Sequence, residues 1–550
     1  MDKMDNTLQG VAGLQKREIS IVSIIAIVYC AVAAGAFGVE EMIQNCGPGM
    51  TILFLVVLAF VWALPICFGV SELSSVMPCE GGFYYWTKKS FGEFWGFQVG
   101  WWNAVGFHVC GGSYIVLAVN YLSSIIKLDD GQALAIKIGL VIAFALINLM
   151  GIKEVGILST IFSAAVLIAF AILTVIGFAH WNFNPMEPIV PEGMTALESM
   201  GNGIGYGIWM YTGWGCITFV AGEIKNVNAL PKALLIVVPL IALTYLLPTI
   251  TGLASVGDWE SWTTVGSNEG VGFVTVFSRF VGPAAAIGFL AIAIIGQLSI
   301  YNTNIAGGSR IFFVLADDNL FPGVVKNVSK GRGVPYIGVI TLSLVSIVLV
   351  QFSFTTLILI QVICSLGTYI MMGLSIIKTR KDIPVSERKG LVLIPGGKAG
   401  MYICAILPIL VAVAALYLNG TDYFIVGLGF FAITGPVLYV IFKKIYGGMS
   451  KDDPVRYPVN KLTGLTKGDT LRLSVFSLVI GLLSLVGSFI LKPIEQSWGP
   501  EYYIEEYTDA GMLSFLSDFD GMMSIMLIGG LVFIAIAAVL FGVAKKVEDK

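Results

Sequence analysis

AVAAGAFGVEEMIQNCGPG, residues 31–49, and GNGIGYGIWMYTGWGCITFVAGEIKN, residues 201–226, decide the reading of this chain. Each is an apolar run that could enter a bilayer, and each carries a cluster of small residues followed by an acid. In the first, Ala33, Ala34, Gly35, Ala36 and Gly38 precede Glu40 and Glu41; in the second, glycines recur from Gly201 to Gly215 ahead of Glu223. Glycine weakens a helix and lets other backbone approach closely, while an acid within hydrocarbon is expensive and marks function by default. Small-xxx-small spacing in one segment serves ordinary helix packing. Two such interruptions five predicted helices apart point instead to a solute site near the membrane midplane, built from freed backbone groups and half-helix dipoles.

The surrounding sequence supplies the membrane. Of 550 residues, 57% are hydrophobic and only 12% charged, against about 25% charged in an average soluble domain. About 20 apolar residues in a helix cross ~30 Å of hydrocarbon with every backbone group satisfied. Apolar runs predict fourteen segments, near 20–45, 50–76, 94–123, 132–151, 155–179, 203–224, 233–256, 281–313, 335–351, 354–377, 400–418, 422–445, 472–491 and 521–544. An even number puts both ends on one side. With both termini cytoplasmic, 28 of the 32 Lys and Arg fall on inner stretches, leaving Lys127, Arg279 and Lys492 outside and Lys137 within segment 4. That is the bias expected of an inner-membrane protein in this orientation. The outer stretch 492–520 is conversely acidic.

The opening MDKMDNTLQGVAGLQKREIS is too long and polar for a signal peptide's basic region, so the first segment is expected to remain in the mature protein. Residues 446–471 are polar and basic with Pro and Gly, and read as a cytoplasmic linker. The frame is a tail at 1–19, a twelve-helix core at 20–445, that linker, two additional helices within 472–544, and a tail at 545–550. Segments 13 and 14 carry no intramembrane charge and are expected to be accessory or lipid-facing.

Several chemistries are excluded. His108 and His180 are the only histidines, so no H-E-x-x-H zinc motif exists, and no Gly-Lys-Ser or Gly-Lys-Thr completes a P-loop. No ATPase subunit is implied and nucleic acid is not an expected partner. The eight cysteines form no C-x-x-C pair and read as small buried hydrophobes.

The first interruption, Ala34-Gly35-Ala36-Phe37-Gly38-Val39-Glu40-Glu41, is similar to the G-G-P-F-G-V-E-[ED] of polyamine and cationic amino acid permeases in the amino acid-polyamine-organocation superfamily. Ala34 and Ala36 stand where that motif has Gly and Pro. Four more motifs follow in family order: SELSSVMPCEGGFYYW (71–86), FGEFWGFQVGW (91–101), AGEIKNVNALPKA (221–233) and SRIFFVLADDNLFP (309–322). The resemblance covers about residues 20–445. It implies an all-α polytopic membrane protein with a LeuT-like 5+5 inverted-repeat core, repeats near 20–179 and 203–377, and broken helices 1 and 6. The extra pair of segments departs from the family's twelve-helix majority.

By the same resemblance, substrate lies against Ala34, Gly35, Ala36, Phe37 and Gly38 on segment 1 and Trp209, Met210, Tyr211, Thr212 and Gly213 on segment 6. Aromatic rings there could cover an ammonium group, worth up to about 2 kcal/mol when desolvated. Glu40, Glu41, Glu72 and Glu223 are intramembrane acids; Glu40 or Glu41 is expected to attract a cation and Glu223 to titrate or gate, while Glu72 suits a structural or gating bond near a cytoplasmic end. Sodium-linked relatives hold the ion between helices 1 and 8, which directs attention to Ser299, Asn302 and Thr303. Some proton-linked relatives use a lysine on helix 5, and residues 157–179 contain none. The coupling ion is therefore left as proton or sodium, with no other cofactor expected. His108 could relay a proton but more often such an imidazole is a neutral hydrogen-bonded group.

The expected function is secondary active transport of amino acids or polyamines across the cytoplasmic membrane, by symport or exchange, with an amine-bearing solute and the lipid bilayer as partners. A neutral or aromatic amino acid permease is the rival within the class. A non-transporting nutrient sensor would be expected to carry a longer soluble tail, and a membrane enzyme would need a metal set or nucleophile–base pair.

Overall fold

Interrupted helices at two of the fourteen predicted places dominate the architecture. The computed structural model describes residues 20–546 apart from 34, 80, 124–125, 217, 219–228, 263–271, 331, 389–390, 461–462 and 497–518. Helix α1 (Ile21–Val32) stops near mid-depth and α2 (Val39–Cys46) continues after a break. Next come α3 (Pro48–Val76), a short surface helix α4 (Gly82–Phe91), α5 (Glu93–Ser123), α6 (Asp130–Asn148) and α7 (Ile152–Ala179). The second half opens with another half-helix, α8 (Ala196–Met210), then α9 (Ala229–Val256), a short α10 (Phe273–Phe280), α11 (Pro283–Asp317), α12 (Tyr336–Leu349) and α13 (Phe354–Asp382). Helices α14 (Gly397–Leu418), α15 (Thr421–Gly429) and α16 (Gly435–Tyr446) follow, the last two joined through a π turn, then a single turn α17 (Met449–Asp452), and finally α18 (Lys467–Gln496) and α19 (Phe519–Lys546).

Among the described residues eleven helices are long and apolar enough to cross a membrane. The broken pair α1/α2, the half-helix α8 and the 14-residue α12 account for the remaining predicted segments. We call the side holding residue 20 the near face. Segment 6 begins earlier than its hydropathy suggests, because Thr195 and Glu198 form a capping box that starts α8 at Ala196. Helices α4 and α10 lie in stretches that read as loops, being too short to cross a bilayer.

Rows such as Ile161, Ile168 and Val175 on α7, or Ile528 and Val539 on α19, are exposed and suit lipid. Helices α18 and α19 pack closely on one another, with the backbone of Gly481 against that of Gly530. The Ser474 and Ser484 hydroxyls donate to the Ala537 and Met526 carbonyls, each at 2.7 Å. This pair meets the core chiefly where Phe476 packs on Phe94 and Trp95 and the Tyr417 hydroxyl reaches the Leu483 carbonyl.

Ion pairs lock the near face. Glu72, at the end of α3, accepts from Arg380 of α13 and from Arg388 of the following loop, both at 2.6 Å, and from the Ile394 N–H. Lys443 of α16 pairs with Glu93. Asp318, just past α11, takes Lys88 at 2.6 Å and the Tyr84 hydroxyl, holding α4 down. Burial and the neighbouring Asp318 push that hydroxyl well above the ordinary tyrosine range.

Candidate functional site

Two glycines set the geometry of the breaks. Gly35 (φ +111°) and Gly213 (φ +117°) adopt backbone that side chains avoid, and a Cβ on Gly213 would fall 2.3 Å from the Ala31 carbonyl oxygen. The interruption of segment 6 therefore lies directly on the end of α1. Freed carbonyls at both breaks need donors. Tyr245 of α9 brings one O–H proton to the two of them: its oxygen lies 2.7 Å from the Met210 carbonyl, the shorter bond, and 3.1 Å from that of Val32. The Tyr211 hydroxyl donates to the Leu55 carbonyl at 2.8 Å, just before the π turn of α3 at Ala59–Ala63.

Beside the breaks lies a cavity of about 50 Å³. Its wall includes Ala31 of α1, Phe83 of α4, and Thr212, Gly213, Gly215 and Cys216 of segment 6. Helix α5 contributes Trp102, Asn103, Gly106, Phe107, Cys110 and Tyr114; α11 contributes Asn304; α13 contributes Gln361, Cys364, Ser365, Thr368 and Tyr369. No charged side chain stands among these described lining residues, whereas five aromatic ones do. Asn103 donates to the Thr368 hydroxyl at 3.0 Å and Gln361 to the Ser365 hydroxyl at 3.1 Å. Trp102 Nε1, Asn304 Oδ1 and Gln361 Oε1 have no hydrogen-bond partner among the described residues.

Away from the near face the cavity is roofed by rings. Trp209 meets Phe354 edge-on at 5.3 Å and lies 6.1 Å from Tyr114. Phe37 packs against Phe170 at 4.8 Å, Tyr121 at 5.7 Å and Phe289 at 5.9 Å. On the near side Phe83 and Tyr369 meet edge-on at 5.7 Å.

The residues expected from sequence divide accordingly. Thr212 and Gly213 line the cavity; Gly35, Ala36, Phe37 and Gly38 form the break beside it; Trp209, Met210 and Tyr211 are buried around it. Gly38 stands against the Trp209 ring. Ala34 and Glu223 lie outside the described residues. Glu40 and Glu41 occupy the first turn of α2 and are buried, at 2% and 6% exposure, so they are not merely wetted ends. The Glu40 carboxylate accepts the Gly38 N–H at 3.1 Å and is also faced by the N–H of Phe273, the first residue of α10. It thus sits on the N-termini of two helices, where partial positive charge collects.

Ser299, Asn302 and Thr303 are buried on α11 and bond to protein. The Ser299 hydroxyl donates to Cys30 Sγ at 2.8 Å, beside Ser163 Oγ at 3.0 Å from the same sulfur. Asn302 Oδ1 accepts from Asn148 at 2.9 Å, and the Thr303 hydroxyl donates to the Ile300 carbonyl at 2.9 Å. His108 contacts the Ala104 carbonyl one turn back through Nδ1 and lies against Phe312.

Tyr245, Asn103, Asn304 and the polar row of α13 escaped the sequence reading. Gln361, Ser365 and Thr368 recur at helical spacing in an apolar segment, and that stripe was a usable signal.

A family model of amino acid permeases matches residues 19–442. The chain is 22% identical to the polyamine transporter RMV1 of Arabidopsis thaliana over 417 residues, covering 74% of this chain and 81% of that one. It is 27% identical to the gamma-aminobutyric acid permease of Bacillus subtilis, covering 79% and 95% respectively. The solved structure of MhsT in complex with L-phenylalanine superposes with a TM-score of 0.53 at 13% identity, covering 74% of this chain and 99% of that one. The fold is therefore LeuT-like.

Proposed function

This chain belongs to the amino acid permease family and is a multi-span membrane transporter of amino acids or polyamines rather than an enzyme; we propose that its solute is an amine lacking an α-carboxylate. The observation that carries this reading is Glu40. In broken-helix transporters a half-helix N-terminus faces the anionic group of the solute. Here the start of α2 is already occupied by the chain's own carboxylate, through the Gly38 N–H. A solute carboxylate would meet an anion site already filled by a buried carboxyl group. An ammonium group has no such competitor at the start of α2. The cavity adds five aromatic faces and no cationic side chain to repel an ammonium.

A second reading, an amino acid permease, is favoured by the similarity to the Bacillus gamma-aminobutyric acid permease. Binding of an amine and of the amino acid that yields it by decarboxylation separates the two, because the pair differs only in the carboxylate.

In this reading the near face is cytoplasmic, since the predicted inner stretches of the sequence carry 28 of the 32 Lys and Arg. The solute enters from the opposite side once the ring roof at Trp209 and Phe37 parts, and leaves past Phe83 and Tyr369. Transport is independent of sodium. A hard cation needs several free oxygens, whereas Ser299 and Ser163 converge on the Cys30 thiol and Asn302 is committed to Asn148.

A further inference from the structure

We propose that the turn α17, at the start of the linker to α18 and α19, is a latch on the near-side exit, and that Asn319 is the positioning residue through which it holds. The inference rests on release past Phe83 and Tyr369, as read above, and not on which amine is carried. Phe83 is the second residue of α4, lines the cavity and meets Tyr369 edge-on. The place of its ring is set by where α4 lies, so what holds α4 governs release. Two anchors do so. Asp318 takes Lys88 at 2.6 Å and the Tyr84 hydroxyl. At the other end the Arg472 guanidinium of α18 stands against Gly92, the residue that closes α4, where a Cβ would fall 2.4 Å from the guanidinium carbon. A cation there faces the negative end of the helix.

The linker grips the residue that follows each anchor. Asn319, next to Asp318, has a left-handed backbone (φ +54°), uncommon for a residue with a side chain, and α17 holds it on three sides. Its carbonyl accepts the Gly448 N–H at 3.0 Å, its side-chain nitrogen lies 3.2 Å from both carboxylate oxygens of Asp452, and its Oδ1 accepts the Lys451 ammonium at 3.3 Å. Glu93, next to Gly92, accepts the Met449 N–H at 2.9 Å while paired with Lys443. Gly447 and Gly448, both at positive φ, turn the chain back after α16 to make this reach. A segment outside the twelve-helix core is thus fastened to both supports of the helix that carries the exit ring.

The test uses the purified full-length protein in lipid nanodiscs and a water-soluble maleimide, with labelling of the buried cavity cysteines Cys110, Cys216 and Cys364 followed by peptide mass spectrometry. Asn319→Gly keeps the left-handed backbone and removes the side-chain grip; Asp452→Ala removes the same bond from the other end. Each is expected to speed labelling about threefold, the scale of one exposed charged contact, and the double variant no further than the larger single effect, because both delete one interaction. Lys378→Ala breaks the exposed Lys378–Asp382 pair on the same face and should leave the rate unchanged. A rate indistinguishable from wild type in either latch variant overturns the inference, as does an equal rise in Lys378→Ala, which would mean general loosening. Phe83→Ala separates the failures, since it opens the exit directly. If it speeds labelling while the latch variants do not, the latch is wrong and the exit stands; if it labels at the wild-type rate, the exit reading falls and the latch with it.

Discussion

The Tyr245 hydroxyl lies 2.7 Å from the Met210 carbonyl at the end of α8, and the same oxygen lies 3.1 Å from the Val32 carbonyl at the end of α1. One hydroxyl on α9 therefore stands between both interruptions, with a single proton for the two carbonyls. Tyr245→Phe keeps the ring and removes the one proton that the two freed carbonyls share, at a cost of about 1–3 kcal/mol. Uptake into proteoliposomes is expected to fall at least tenfold while the variant still folds. Uptake within twofold of wild type would show that the bridge is dispensable.

Gly213 tests the close approach of the two breaks. A Cβ there would meet the Ala31 carbonyl at 2.3 Å in a left-handed backbone conformation, so Gly213→Ala should abolish uptake. Gly288→Ala is the control, since nothing lies within 4 Å of its Cβ position in the α11 helix. Alanine there should add up to about 1 kcal/mol of stability and leave uptake intact.

Glu72 is held by two guanidinium groups, with Arg388 fully buried and Arg380 nearly so. Glu72→Ala strands both cations, which costs about 3–5 kcal/mol when a buried pair loses one partner. Thermal unfolding in detergent should show this loss, and the double variant Glu72→Ala/Arg380→Ala should lose less than the two single losses combined. Additive losses would mean the residues do not act as a unit.

The thiol-filled seam between α1, α7 and α11 predicts that amine uptake changes less than twofold when sodium is replaced by potassium. Loss of uptake on that replacement would place a sodium site among oxygens that Ser299, Ser163 and Asn302 spend on protein.

Much of this was legible in the sequence, and the limits have physical causes. Fourteen segments, two glycine-rich interruptions and the family motifs follow from hydropathy and spacing, which are local properties. The location of the Glu40 carboxylate was not, because its second N–H donor comes from Phe273, more than 200 residues away. Ser299 is a candidate ion ligand only by resemblance to sodium-linked relatives; its attachment to Cys30 depends on how α1 and α11 pack. Tyr245 lies in an apolar helix with two internal prolines and carries no pattern of its own. The Gln361, Ser365 and Thr368 row, by contrast, had the period of a helix face and was open to reading.

The central claim, that Glu40 fills the place of a solute carboxylate, is tested most directly by ligand-dependent thermal stabilisation with matched pairs: putrescine against ornithine and cadaverine against lysine. A ligand of the folded state at about 100 times its dissociation constant adds ~2.7 kcal/mol. The account predicts that the decarboxylated member of each pair stabilises the wild-type protein and that Glu40→Gln weakens this about tenfold. Stabilisation by ornithine and lysine equal to or greater than that by their amines would contradict it.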